Sequence, residues 1–283
     1  MNTKQLSAAA VAMLLIGGGI GAAHAAGMQP GESIGQGYGT PLPQGVYVWN
    51  TLSYGQRANQ GGPGVDGDVF VDVPVVAWST PLVLLGGRVE LALATPWIYE
   101  GFNRSDGAGP VPSSDRGIYN PFLAGLWAFD LGGGLGLSLL SGAYIPWDSG
   151  STGVAADFWT FREAINVAYS GVDGLHAAAN LNFQFFDSKH DNTVTFSQNN
   201  NFVADLTLGK TFGKWDVAAV GFASTNIDNN FSPVDTSQVA LGGLVGYNFG
   251  PVTIQFFLTR DVTEHNLGGS ETRIWNRIVV PIP

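Results

Sequence analysis

The chain has 283 residues, 22 of them acidic against 12 basic, giving a formal net charge of −10; 45% are hydrophobic, only 12% are charged, and there is no cysteine. An acidic chain without a basic stripe excludes a nucleic-acid partner and argues against a broad anion pore. The missing thiols exclude a disulfide frame and a thiolate metal site.

Residues 1–25 read as a secretory leader. Lys4 is their only charge, Leu6 to Ile20 is mostly apolar or Gly, and Ala23-His24-Ala25 offers a small-x-small exit site. Gly17, Gly18 and Gly19 break the apolar stretch, which is too short for a membrane-anchoring helix. No later apolar run can span a bilayer as a helix. Hydrophobicity is instead spread one residue in two, as in a sheet with lipid on one face and polar contents on the other.

Residues 26–43 are rich in Gly and Pro. They form either a small plug in a barrel mouth or a free periplasmic tail, and the tail is the default. Gly35, Gly37 and Gly39 make no phosphate cradle, because no strand-to-helix context follows them.

Twelve strand-like runs then follow, near 44–54, 68–79, 87–99, 118–130, 135–147, 157–169, 174–186, 200–211, 215–224, 238–249, 252–261 and 272–282. Their signature is a period of two. In the seventh run Leu175, Ala177, Ala179, Leu181, Phe183 and Phe185 oppose His176, Ala178, Asn180, Asn182, Gln184 and Phe186. Long polar loops at 55–67, 100–117, 148–156, 187–199, 225–237 and 261–271 alternate with compact turns at 131–134, 170–173, 212–214 and 249–251, and with a looser one near 79–87. Placing every long loop at one end suits a barrel whose two rims face different compartments. The expected fold is therefore all-β, an antiparallel transmembrane β-barrel of about twelve strands over 44–283, with both termini periplasmic and the long loops outward.

Trp97, Tyr99, Trp147, Trp159, Tyr169, Trp215, Tyr247 and Phe249 sit near run ends, where interfacial girdles belong. Pro74 and Pro96 are expected at bulges or strand ends. The inward phase contains Arg88, Glu90, Arg162, Asp205, Arg273 and Arg277 as ionic members, Tyr144, Phe186, Phe222 and Phe257 as aromatic ones, and His176. Buried charges must be paired, so these ionic groups read first as a lattice bracing the wall. Together with the aromatics they also shape a narrow, partly apolar passage.

Catalysis and metal binding find little support. His176, His190 and His265 come from distant segments, and nothing in spacing brings a nucleophile to any of them. Asp66, Asp68, Asp187, Asp191, Asp228, Asp235, Asp261 and Glu264 read as solvated loop carboxylates, since no spacing matches a calcium loop. No cofactor or metal is expected.

Pro43-Gln44-Gly45-Val46-Tyr47 opens the first run; Asp66, Asp68 and Asp72 approach the second; Leu84-Leu85-Gly86-Gly87-Arg88 leads to Ala94-Thr95-Pro96. In these features, behind a leader, the chain resembles the MetA-pathway of phenol degradation family of outer-membrane proteins from Gram-negative bacteria. The resemblance implies a role like that of the fatty-acid and toluene channels, which pass hydrophobic molecules across the outer membrane. Those channels carry a sizeable N-terminal hatch, for which residues 26–43 are too few. Passive uptake of small hydrophobic or aromatic solutes is the leading expectation, with outer-membrane lipid and lipopolysaccharide as neighbours. The alternatives are a closed barrel with interaction loops and, behind it, an outer-membrane hydrolase.

Overall fold

The computed structural model describes residues 27–59, 65–104, 114–146, 154–191 and 194–282; the leader, Ala26 and Trp147 lie outside the described residues. The strands are β1 (Gly45–Arg57), β2 (Val65–Leu84), β3 (Gly87–Ala94), β4 (Trp97–Arg104), β5 (Asp115–Ile118), β6 (Phe122–Gly132), β7 (Leu135–Tyr144), β8 (Thr160–Ser170) and β9 (Leu175–Phe186). They continue with β10 (Lys189–Asp191), β11 (Val194–Phe196), β12 (Asn201–Phe212), β13 (Trp215–Asn226), β14 (Ser237–Asn248), β15 (Thr253–His265) and β16 (Glu271–Ile282). β10 and β11 form a separate hairpin within a long loop.

Prolines explain why the fourteen strands of the ring make twelve staves. β3 and β4 are two halves of one stave, since both pair with β2, and the break between them is Thr95-Pro96. β5 and β6 are likewise one stave broken at Tyr119-Asn120-Pro121, pairing with β4 and β3 respectively. A proline has no N–H for the ladder. Its carbonyl still serves: Tyr119 N–H donates to Pro96 O (2.8 Å) and Ile145 N–H to Pro121 O (2.8 Å). Every neighbouring pair is antiparallel, and β1 pairs with both β2 and β16, so the ring closes.

Burial alternates along the staves, and the usual polarity is inverted. In β8 the buried phase holds Arg162, Ala164 and Asn166, while Phe161, Ile165 and Val167 are exposed. Leu91, Leu93, Leu206, Leu208, Leu241, Phe256 and Ile274 are likewise exposed. Leucine on the outside and asparagine on the inside is the pattern of strands solvated by hydrocarbon. Among the described residues no helix is long and apolar enough to cross a membrane. The chain is an outer-membrane-type β-barrel.

The expected loose connection at 79–87 is corrected. β2 runs on to Leu84 through a register shift between Ser79 and Val83, around Pro81. The true turn is Leu85-Gly86, with φ of 47° and 87°. Two adjacent positive-φ residues match the right-handed twist of a tight hairpin. Rim aromatics gather where girdles were expected: Trp215 lies against Tyr247 (centroids 4.7 Å apart) and Tyr247 against Phe249 (4.6 Å), while Trp159 stacks on Phe161 (6.1 Å).

Two apolar clusters sit inside the ring. One joins Val69, Val71, Val73 and Val75 of β2 to Ala94, Phe122, Leu126, Leu140 and Tyr144. The other joins Ile34 to Ala218, Val220, Phe222, Leu244, Phe257 and Trp275. Between them β8, β9 and β12 bury Arg162, Asn166, Asn180, Asn182, Gln184, Asp205 and Thr207.

Candidate functional site: the lumen and the segment inside it

The polar sector has a partner, residues 27–44, which run inside the ring as a chain of tight turns. Glu32 N–H donates to Gln29 O, Ile34 N–H to Gly31 O, Gln36 N–H to Ser33 O and Thr40 N–H to Gly37 O, at 3.0–3.2 Å. Turn backbone leaves many peptide groups unpaired within the segment, and these must be satisfied by the wall. Asp205 accepts Gly31 N–H (2.8 Å), Ser33 N–H (2.8 Å) and the Ser33 hydroxyl (2.7 Å). Thr207 Oγ1 accepts Gly35 N–H (2.8 Å), and Gln184 Oε1 accepts Met28 N–H (2.5 Å). Asn180 Nδ2 donates to Ser33 O (3.0 Å) and Gln36 O (3.1 Å). Arg277 donates to Glu32 O (2.5 Å) and to Ile34 O. A free tail, the default reading of the sequence, is thereby corrected: a Gly- and Pro-rich stretch without periodicity is ordered by side chains of a wall built much later in the chain.

Glycine permits the closest contact. A Cβ on Gly136 of β7 would stand 2.6 Å from Gly39 O and 2.7 Å from Thr40 Cα, and one on Gly39 would strike the backbone nitrogen of Ala168. Segment and wall touch there backbone to backbone. Two and three staves further round the ring, Glu90 Oε1 accepts Leu42 N–H (2.7 Å) and the Ser79 hydroxyl donates to Leu42 O (2.9 Å).

The eleven inward residues named from the sequence fall into three zones. Asp205, Arg277, Arg162 and Glu90 lie in the middle against the segment; Arg162 Nη1 is 4.0 Å from Glu32 Oε1, and its Nε donates to Asn182 Oδ1 (2.9 Å). Phe257 stacks on Trp275 (5.2 Å, 10°) beneath Arg277, and Phe222 is buried with them. Tyr144 packs on Phe122 (4.5 Å) in the other cluster. At the tight-turn end Arg88 donates to Thr80 O (2.9 Å) and His176 Nε2 lies 2.6 Å from Asp216 Oδ1. At the long-loop end Phe186 meets Phe158 edge to face (6.5 Å), and Arg273 Nε donates to Glu271 Oε1 (2.5 Å). His176 is thus a hydrogen-bonded wall residue.

Asp261 is a further correction. Its place in the sequence implies a solvated loop carboxylate, yet it is buried 3.2 Å from Arg57 Nη1 and accepts Glu271 N–H (2.8 Å). β15 extends to His265, so Asp261 is a stave residue of the inward phase. Among the described residues no group of three or more His, Asp and Glu is placed to hold a metal ion.

Sequence reasoning missed Glu32, Gln36, Tyr38 and Thr40 of the segment, and Trp49 and Trp275 of the wall. Trp49 and Trp275 share the phase of Thr51 and Arg277, so alternation alone contained that signal. All of them but Trp275 line a cavity of about 120 Å³ that the segment leaves between itself and the apolar wall. Val75, Ala94, Phe122, Leu126 and Leu140 form one side; Gln36, Tyr38 and Thr40 form the other, with Trp49, Glu32, Glu90 and Arg162 around the margin. Tyr38 and Trp49 stand 6.2 Å apart at 43°. For scale, an apolar cavity of roughly 150 Å³ holds a benzene ring.

The family described as "Putative MetA-pathway of phenol degradation" matches residues 32–278. No curated protein matches the sequence. Among solved structures, an outer membrane channel from Pseudomonas putida F1 is similar over 88% of this chain and 100% of its own, with a TM-score of 0.71 at 13% identity. The translocator domain of the autotransporter NalP from Neisseria meningitidis covers 85% of this chain and 90% of its own, with a TM-score of 0.52 at 10% identity. At such identities the likeness is one of fold.

Proposed function

The chain belongs to the MetA-pathway of phenol degradation family, and from that premise we propose that it is a passive outer-membrane channel for small hydrophobic, ring-sized solutes. The tight turns face the periplasm, the long loops face outward among lipopolysaccharide, and solute moves down its gradient with no cofactor and no covalent step. The observation that carries this reading is the cavity between the apolar wall and the segment: it is ring-sized, greasy on one side and bounded by aromatic side chains. The segment that narrows the lumen is held chiefly on the polar side, so displacing it would widen a path along β2, β3, β6 and β7. Proteoliposomes containing the full mature chain are expected to take up radiolabelled toluene or phenol faster than protein-free vesicles. Uptake equal to the vesicle background would refute the reading.

A closed structural barrel with interaction loops is the second reading, favoured by the number of hydrogen bonds that fix the segment across the lumen. Planar-bilayer conductance separates the two. A channel conducts or passes solute with the segment present, whereas a closed barrel does so only after residues 27–42 are deleted.

A further inference from the structure

On the outer surface of the barrel, we infer that the lipid-facing carboxyl group of Glu163 is a docking point for lipid A, the β-hydroxyacylated, amide-linked anchor of lipopolysaccharide. This rests on the outward placement of the long loops and not on solute passage. The first observation is depth. The outward phase of β8 reads Phe161, Glu163, Ile165, Val167 and Tyr169, and all five are exposed. Trp159, stacked on Phe161, marks the long-loop end of this run, and Tyr169 marks the tight-turn end. At ~3.3 Å per residue and a tilt of about 40°, positions 159 and 169 bracket ~25 Å, the height of an apolar band. Glu163 therefore lies inside the band, about 5 Å beneath Phe161 on the long-loop side. An ionisable side chain turned towards hydrocarbon is expensive, and its position marks a site.

The second is shape. Gly125, Ser141 and Glu163 are successive cross-strand partners on β6, β7 and β8, and Leu91 of β3 pairs with Gly125. A Cβ on Gly125 would meet nothing within 4 Å. The outer surface thus drops to a furrow floored by Gly125 and Ser141, with exposed Leu91 on one bank and Glu163 on the other. Staves lie about 4.8 Å apart, so a floor two staves wide takes one acyl chain.

The third is hydrogen bonding. The Ser141 hydroxyl donates to Glu163 Oε1 (2.7 Å), which holds the carboxyl group over the furrow. Glu163 Oε2 has no partner among the described residues. An oxygen so placed calls for a donor from its surroundings. A glycerophospholipid offers only ester oxygens below its headgroup, and these accept. Lipid A carries amide N–H and β-hydroxyl groups a few bonds below its sugars, and these donate. The site therefore discriminates between the two lipids by what lies beneath the phosphates.

Native mass spectrometry of the full mature chain in detergent, titrated with β-hydroxyacylated lipid A or with dimyristoyl phosphatidate, tests the inference. Both probes carry phosphate, and only the first has donors beneath it. Lipid A adducts are expected at about tenfold lower lipid concentration than phosphatidate adducts. Glu163→Leu should bring lipid A to within about threefold of phosphatidate and leave phosphatidate unchanged. In phosphatidylcholine vesicles the same variant should unfold at higher denaturant than the native chain, because a carboxyl group no longer faces hydrocarbon. A wall-bracing role would give the opposite shift and overturn the inference. Gly125→Leu, which fills the furrow and keeps the carboxyl group, should weaken lipid A by about fivefold. Equal binding of the two lipids by the native chain overturns the inference, as does a lipid A preference that survives in Glu163→Leu. A dimer that Glu163→Leu dissolves would make a second copy the occupant and overturn it too. An epitope inserted after Asn230 should be labelled on intact cells; labelling only after permeabilisation overturns both the inference and the orientation. Lipid A selectivity without solute flux overturns the channel reading alone.

Discussion

The two halves of the lumen wall differ in chemistry, and the difference decides what each can hold. On β8, β9, β12 and β16 the inward side chains include Arg162, Asn166, Asn180, Asn182, Gln184, Asp205, Thr207 and Arg277. Asn180, Gln184, Asp205, Thr207 and Arg277 bind the segment's backbone, because amides, hydroxyls, carboxylates and guanidinium groups match N–H and C=O groups. On β2, β3, β6 and β7 most are apolar, among them Val71, Val73, Val75, Ala94, Leu126 and Leu140, and only Glu90 and Ser79 reach a backbone, that of Leu42. Residues 28–36 of the segment are therefore held by the first half, and the cavity lies against the second. A ring of alternating strands need not be uniform around its circumference, and here the asymmetry seats a constriction and spares a groove.

Substitutions in each half sharpen that contrast. The largest effect is expected from Asp205→Ala, which strands Gly31 N–H, Ser33 N–H and the Ser33 hydroxyl. At about 1–3 kcal/mol per unsatisfied buried group, the loss should total about 4 kcal/mol, less what entering water recovers. Cleavage at Glu32 by a glutamyl endopeptidase should then proceed in folded barrels; resistance equal to the native chain would deny that this carboxylate seats the segment. Leu140→Ala in the apolar half should cost about 2–3 kcal/mol in denaturant unfolding from lipid vesicles while leaving Glu32 protected. Protease sensitivity in that variant would mean the two halves are not independent. Gly39→Ala forces a methyl into Ala168 and should cost about 2 kcal/mol, read as partial exposure of the same site. Thr207→Val removes one acceptor, that of Gly35 N–H, and should cost about 1 kcal/mol. A loss from Thr207→Val as large as that from Asp205→Ala would show that charge is not what distinguishes these contacts.

The staves were legible because each obeys a local rule. Alternation in 175–186 assigns Asn180, Asn182 and Gln184 to one face without reference to any other strand, and the same holds for Arg273, Trp275 and Arg277. Prolines were legible only in part. Pro96 does break a stave, but Pro81 makes a bulge inside β2 that length alone could not tell from a loose turn. Asp261 was misplaced through a boundary error, since β15 continues four residues past it. The segment was illegible for a different reason. Its order comes from side-chain contacts across separations of more than a hundred residues, such as 174 between Gly31 and Asp205, and no periodicity encodes such contacts. The cavity inherits that difficulty, because Gln36, Tyr38 and Thr40 acquire a role only once the wall exists.

The seating of the N-terminal stretch also fixes an order of events in biogenesis. Its anchors include Gln184 on β9, Asp205 on β12 and Arg277 on β16, the final stave, which reaches β1 only when the cylinder zips shut. Residues 28–36 therefore cannot be fully seated until the last hairpin has folded, and their complete docking marks a closed barrel.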